Sequence, residues 1–139
     1  MNKNINHLKF ADLPVHERGR GIKNHLIASK AIGSQSIHSG ITFMPPKTSV
    51  PAHKHNTEEQ VTVLEGTLKV VLDGDKEVIC HKYDSSFLSP GVQHELFNDT
   101  DEELVVMVTY GSADVNRTFV ETGEVVLIGS DEDQFTANR

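Results

Sequence analysis

The chain has 139 residues, a single cysteine, no tryptophan and a formal net charge of −7 at pH 7. That length favours one domain with a core of its own, and the acidic balance argues against a nucleic-acid partner. Cys80 alone excludes an internal disulfide and any zinc site built from several thiolates. No apolar run approaches a membrane span. The polar segment from Met1 to His7 lacks an apolar signal region, so a cytoplasmic protein is expected.

In chain order, the first stretch is an arm, residues 1–36. It carries Arg18-Gly-Arg-Gly21 and then Leu26-Ile27, which reads as an edge strand. Ile37 to Met44 alternates as a half-buried strand does and stops at Pro45-Pro46. Val61 to Leu64 is a second strand, closed by Glu65-Gly66. Thr67 to Leu72 meets Asp73-Gly74, a hairpin dipeptide, and Lys76 to Cys80 returns. Ser86 to Leu88 is short and ends near Pro90-Gly91; His94 to Asn98 follows, then a turn cluster from Asn98 to Asp101. Leu104 to Tyr110 is the most apolar strand. Phe119-Val120 and Val125 to Ile128 flank a turn at Thr122-Gly123.

Short strands separated by turn residues, with no helical stripe between residues 37 and 128, predict an all-β sandwich or barrel. The expected organisation is the arm at 1–36, a barrel core at 37–112, and a strand pair with an acidic tail at 113–139. Residues 130–139 are polar and expected to fray.

Three of the 8 histidines stand in a pattern. His53 and His55 are two apart, so on an extended segment both rings face the same way. Glu59 is four further on and shares their parity. His94 lies on a different strand, after a Pro-Gly turn, where closing strands bring it opposite the others. Three imidazoles and a carboxylate suit one divalent transition metal: Fe, Mn, Ni, Zn, Co or Cu. Four protein ligands on an ion that accepts six leave two positions open for a small molecule.

At these residues the sequence resembles the cupin superfamily, in particular its small, single-domain, RmlC-like members. The first cupin motif, His-x-His-x₃₋₄-Glu-x₆-Gly, is matched by His53, His55, Glu59 and Gly66. The second is matched at Gly91, His94 and Asn98. The glycines that usually open the two motifs are Lys47 and Tyr83 here, and Ser89 replaces a proline. The resemblance covers about residues 37–112. It implies a double-stranded β-helix, or jelly-roll barrel, with the metal at His53, His55, Glu59 and His94 inside one end, and a homodimer. It does not imply one reaction, since cupins include dioxygenases, decarboxylases, isomerases, lyases and plain binding domains.

The expected function is therefore a metal-dependent enzyme on a small-molecule substrate, first a dioxygenase-type oxidoreductase. The alternatives are a non-redox isomerase, decarboxylase or lyase, and a non-catalytic sensor or sugar-binding module. Catalytic candidates are Glu58, Tyr83 and Asn98; Glu58 also reads as a solvated turn residue, and Asn98 as the holder of a ligand loop. Tyr110 reads as packing or as a donor to substrate, and Arg117 as a carboxylate clamp or a surface residue. By parity, Val61, Val63, Leu96 and Asn98 face the pocket, with Phe43, Phe87 and Met107 as further lining. His7, His16, His25, His38 and His81 are expected at the surface or on edges, and Cys80 as a buried, inert thiol.

Overall fold

The computed structural model describes residues 6–135. The described residues form twelve strands, β1 (Val15–Gly19), β2 (Ile22–Leu26), β3 (His38–Met44), β4 (Thr48–His55), β5 (Glu59–Glu65), β6 (Leu68–Leu72), β7 (Lys76–Cys80), β8 (Ser85–Leu88), β9 (His94–Asn98), β10 (Leu104–Tyr110), β11 (Asn116–Phe119) and β12 (Val125–Leu127). They make two six-stranded sheets, β1-β2-β3-β10-β5-β8 and β12-β11-β4-β9-β6-β7. The pairings are antiparallel, and the two sheets enclose the core as a jelly-roll barrel.

Alternation decides which residues fill the barrel. In β5, Glu59, Val61 and Val63 are buried while Gln60 is exposed. In β10, Leu104, Val106, Val108 and Tyr110 point inward. In β9 it is His94, Leu96 and Asn98. A one-residue slip in any of these strands would turn its whole apolar set outward, so the pattern fixes the register.

The arm holds more structure than a single edge strand. β1 and β2 form a hairpin through Gly19, Arg20 and Gly21, all at positive φ, and β2 pairs with β3. Leu26 closes β2, while Ile27 lies just beyond it. The tail also differs from expectation. Residues 130–135 do not fray: Asp133 is 0% exposed and Phe135 2%. The Phe135 amide donates to the Arg18 carbonyl. Gly19 makes this contact possible, because a Cβ there would stand 2.7 Å from the Phe135 oxygen. Hence an acidic sequence that looks unstructured closes against the first hairpin through a buried aromatic. The last part of the expected frayed segment, residues 136–139, lies outside the described residues. Among the described residues, no helix is long and apolar enough to cross a membrane.

Candidate metal centre

Strand register assembles one constellation. β4 pairs with β9 so that His53 faces His94, across an irregularity between Val50 and His53. β11 places Arg117 beside His55. In the opposite sheet, β5 and β10 set Glu59 beside Tyr110, and β3 sets His38 beside Tyr110. Two sheets thus contribute to the same cavity from opposite sides.

His53, His55, Glu59 and His94 are buried, and their ligating atoms lie within 4.8 Å of one another. The three rings are oriented alike. Nδ1 of His53 lies 2.6 Å from the Pro51 oxygen, that of His55 2.8 Å from Asn116, and that of His94 2.9 Å from Val92. A carbonyl can only accept, so each Nδ1 carries the proton and each Nε2 presents a lone pair. The Glu59 carboxylate approaches Nε2 of His94 at 2.8 Å and that of His55 at 3.3 Å. Yet Nε2 of His55, Nε2 of His94 and Oε1 of Glu59 have no partner in hydrogen-bonding geometry. Buried polar atoms are rarely left so. Converging lone pairs with their back nitrogens tethered are what a divalent ion requires, and the spacing is of the scale that bonds of about 2.1 Å span. These four residues could hold one metal.

The electrostatics agree at His53, whereas His94 without an ion favours a proton that a metal would displace. Burial, with His94 and Arg117 nearby, holds the His53 imidazole well below its usual value, so it is neutral and free to ligate. Burial alone would push the Glu59 carboxyl up, but His55 and His94 overcome it and carry it well down. Burial alone would lower His94, and Glu59 outweighs it and raises it. The Tyr110 phenol is pushed up by burial and by Glu59, and stays protonated.

The other expected site residues part company. Tyr110 and Arg117 line the cavity; Val61, Val63, Leu96 and Asn98 are all buried as parity demands, but of these four Leu96 alone lines the cavity, the others packing in the core or at the β9 end. Asn98 is not free for chemistry. Its amide nitrogen donates to the Met44, Pro45 and Glu102 carbonyls and its oxygen accepts from Thr100, so it ties the β9 end to two loops. Glu58 is exposed, and its parity is opposite to Glu59. Tyr83 is 72% exposed in the β7–β8 turn, away from the cavity lining. Phe43, Phe87 and Met107 are corrected for the same reason: inward positions are Thr42 and Met44 on β3, Leu88 on β8, and Val106 and Val108 on β10. Their neighbours in sequence face out, and Phe87 is 63% exposed. Cys80 is buried, as expected.

Among the lining residues that sequence did not single out are Arg18, Asn24 and Phe135, and the same holds for Asp133, which binds Arg18 and Arg117. His38 is also there, buried rather than at an edge. Its signal was present, since it shares parity with Gly40, Thr42 and Met44, which line the same wall. Arg18 and Asp133 gave none, because neither sits in a pattern that burial would explain.

A sequence profile of the cupin domain matches residues 40–110, more than half the chain. No curated protein sequence matches significantly. Solved structures with the same fold include the polyketide cyclase RemF from Streptomyces resistomycificus, at 18% identity and TM-score 0.72 over 94% of this chain and 89% of that one. A protein described as a sugar phosphate isomerase of the cupin superfamily, from Silicibacter pomeroyi, gives 17% and 0.69 over 96% and 99%. An RmlC-like cupin from Shewanella frigidimarina gives 18% and 0.69 over 81% and 96%. At such identities the likeness is one of fold.

Proposed function

Since the chain belongs to the cupin family, we propose that it is a metal-dependent enzyme acting on a small organic molecule in the cavity beside His53, His55, Glu59 and His94. The observation that carries this reading is the convergence of three tethered imidazoles and a buried carboxylate, from two sheets, on one point beside the cavity. A bound divalent ion would supply either adjacent positions for O₂ and substrate or a Lewis acid toward a substrate oxygen. O₂-dependent oxidation is the first choice, with iron as the ion. The protein's part is to orient and to keep water out. Val106, Val108 and Leu96 wall the cavity with apolar surface, and Tyr110 packs edge-on against His55 at 4.8 Å. Tyr110 holds a protonated hydroxyl as a donor beside the cluster.

One observation favours a second, non-redox reading. His38 is buried on the cavity wall, burial and Arg18 lower its proton affinity, and its Nε2 has no partner. A neutral imidazole so placed can move a proton in an isomerisation or elimination. The cyclase and the isomerase among the fold relatives are consistent with such chemistry. The proposed working state is a cytoplasmic homodimer, checked by light scattering on the eluting protein.

The test is elemental analysis of protein purified without a metal-affinity column, followed by O₂-consumption and product assays across small phenols, diketones and carboxylates. Stoichiometric metal and O₂ uptake with one class support oxidation; product without O₂ uptake supports the second reading. A ligand recovered unchanged under both conditions overturns the enzyme, and full turnover by metal-free His94→Ala protein overturns its dependence on metal.

A further inference from the structure

The buried charges extend past the four-residue cluster. Arg18 and Arg117 both line the cavity and both are buried. Their Nη1 atoms donate to opposite oxygens of a single carboxylate, Asp133 Oδ2 and Oδ1 respectively. Gly129 donates its amide to the same side chain at 3.1 Å. One carboxylate between two guanidiniums leaves a positive charge in excess on this wall. Glu59 offsets it while the cluster is empty of metal, and a divalent ion would bring the buried sum to +2. In a low-dielectric interior that excess draws an anion.

Two orphaned atoms lie on the same wall. Nε of Arg117 and Nε2 of His38 are buried with no hydrogen-bond partner among the described residues. Arginine Nε can only donate, so an acceptor is missing at this position. Arg117 is held by Asp133 at one nitrogen, stacks over the Phe135 ring at 4.9 Å and meets the Tyr110 phenol. It is thus fixed in place with a donor to spare. The cavity itself is about 40 Å³, room for roughly three water-sized centres. That space admits an acid of a few heavy atoms.

We propose that the cavity takes a small carboxylate, received by Arg117 Nε with His38 beside it, with the remainder of the molecule directed at the His53–His55–Glu59–His94 cluster. This names the substrate class of the enzyme proposed above and rests on that reading for its catalytic meaning. The binding itself does not depend on turnover.

Acetate and its uncharged counterpart acetamide are the probes, titrated calorimetrically into zinc-loaded and chelator-treated protein. Acetate is expected to bind both forms, more tightly when zinc is present, and at least tenfold more tightly than acetamide. Arg117→Lys, which keeps the charge but loses the planar fork, is expected to weaken acetate tenfold or more in both forms; His38→Gln is expected to weaken it less. Equal binding of acetate and acetamide overturns the proposal, as does acetate binding that needs zinc and is untouched by either variant, since the metal alone then holds the carboxylate. Should Arg117→Lys fail to fold, the acetate–acetamide ratio of the unaltered protein and the His38→Gln titration still decide. Arg117-dependent acetate binding in a protein that retains no metal would leave this inference standing and sink the enzyme reading instead.

Discussion

The cavity has two walls of different origin. The cluster wall, His53, His55, Glu59 and His94, lies wholly within the segment 40–110 that the cupin profile matches. The arginine wall, Arg18, His38, Arg117, Asp133 and Phe135, lies wholly outside it. The first wall is built from strand parity, with His53 and His94 tethered to carbonyls two residues away and His55 alone tethered across the sheet to Asn116, so a local pattern places the side chains even though one tether is distant. The second is built from long-range closure: the first hairpin, the penultimate strand and the tail meet through one buried aspartate. The family segment therefore carries what would hold an ion, and the flanks carry what would choose its companion.

The largest expected effect tests the first wall. His53→Ala or His94→Ala removes one of four converging ligands, and bound metal is expected to fall to background by elemental analysis, with turnover lost alongside it. The tethers matter less. Moving a backbone carbonyl away from one Nδ1 is expected to weaken metal retention by about 10–100-fold, not to abolish it. If the His53→Ala protein keeps its metal, the cluster is only a polar core.

The next effect tests the second wall. Asp133→Asn leaves two buried guanidiniums without their carboxylate, and unfolding by urea is expected to show a loss of about 3–5 kcal/mol. The same substitution at an exposed, frayed aspartate would change stability by less than about 0.5 kcal/mol. A small loss would mean that the tail contributes little to the fold and that the arginine wall is open.

This contrast also explains what the sequence revealed. The barrel class was legible because alternation and turn dipeptides such as Asp73-Gly74 act over a few residues. The four clustered side chains were legible because His53, His55 and Glu59 share parity and His94 follows a recognisable turn. Phe43, Phe87 and Met107 have the apolar character of lining residues but stand at the outward parity of β3, β8 and β10. Asp133 and Arg18 were not legible at all. Their pairing spans 115 positions, and nothing local to a polar tail announces a buried partner. His38 stands between: its parity was available, but only the fold shows that its face of β3 is a cavity.

His38 gives the comparison a pH axis. Burial, then Arg18, lowers its folded pKa below the unfolded value of about 6.5. Between those values the unfolded chain binds the extra proton, so stability rises with pH there; it is lost as pH falls below about 6.5 and is level above it. One such group contributes a slope of at most about 1.4 kcal/mol per pH unit. His53 is shifted the same way and metal would mask it. Zinc-loaded protein is therefore the right sample, and His38→Asn is expected to flatten part of the decline measured by denaturation from pH 7 down to 5. No change in that slope would place His38 in contact with solvent, as the sequence alone suggested.

The smallest effect asks whether the shared segment keeps its backbone where it has lost its glycines. Lys47 and Tyr83 occupy the positions at which the cupin motifs usually open with glycine, and both are left-handed, at φ 59° and 74°. The turn conformation has been kept although the residue that most easily adopts it has gone. At Tyr83 the chain is pinned by its amide, which donates to the Val63 carbonyl at 2.7 Å, and by Asp84, whose side chain accepts from the His81 amide. An L-residue pays about 1–2 kcal/mol for this region, whereas glycine enters it freely at some entropic cost. Comparing Tyr83→Gly with Tyr83→Ala removes the ring from both sides of the measurement. At an ordinary loop position alanine is the more stable of the two. Here glycine is expected to exceed alanine by about 1 kcal/mol, and the same order is expected at Lys47. The reverse order in urea midpoints would mean that the turns relax once the native side chains are gone, and that the motif glycines are replaced because their geometry is not needed.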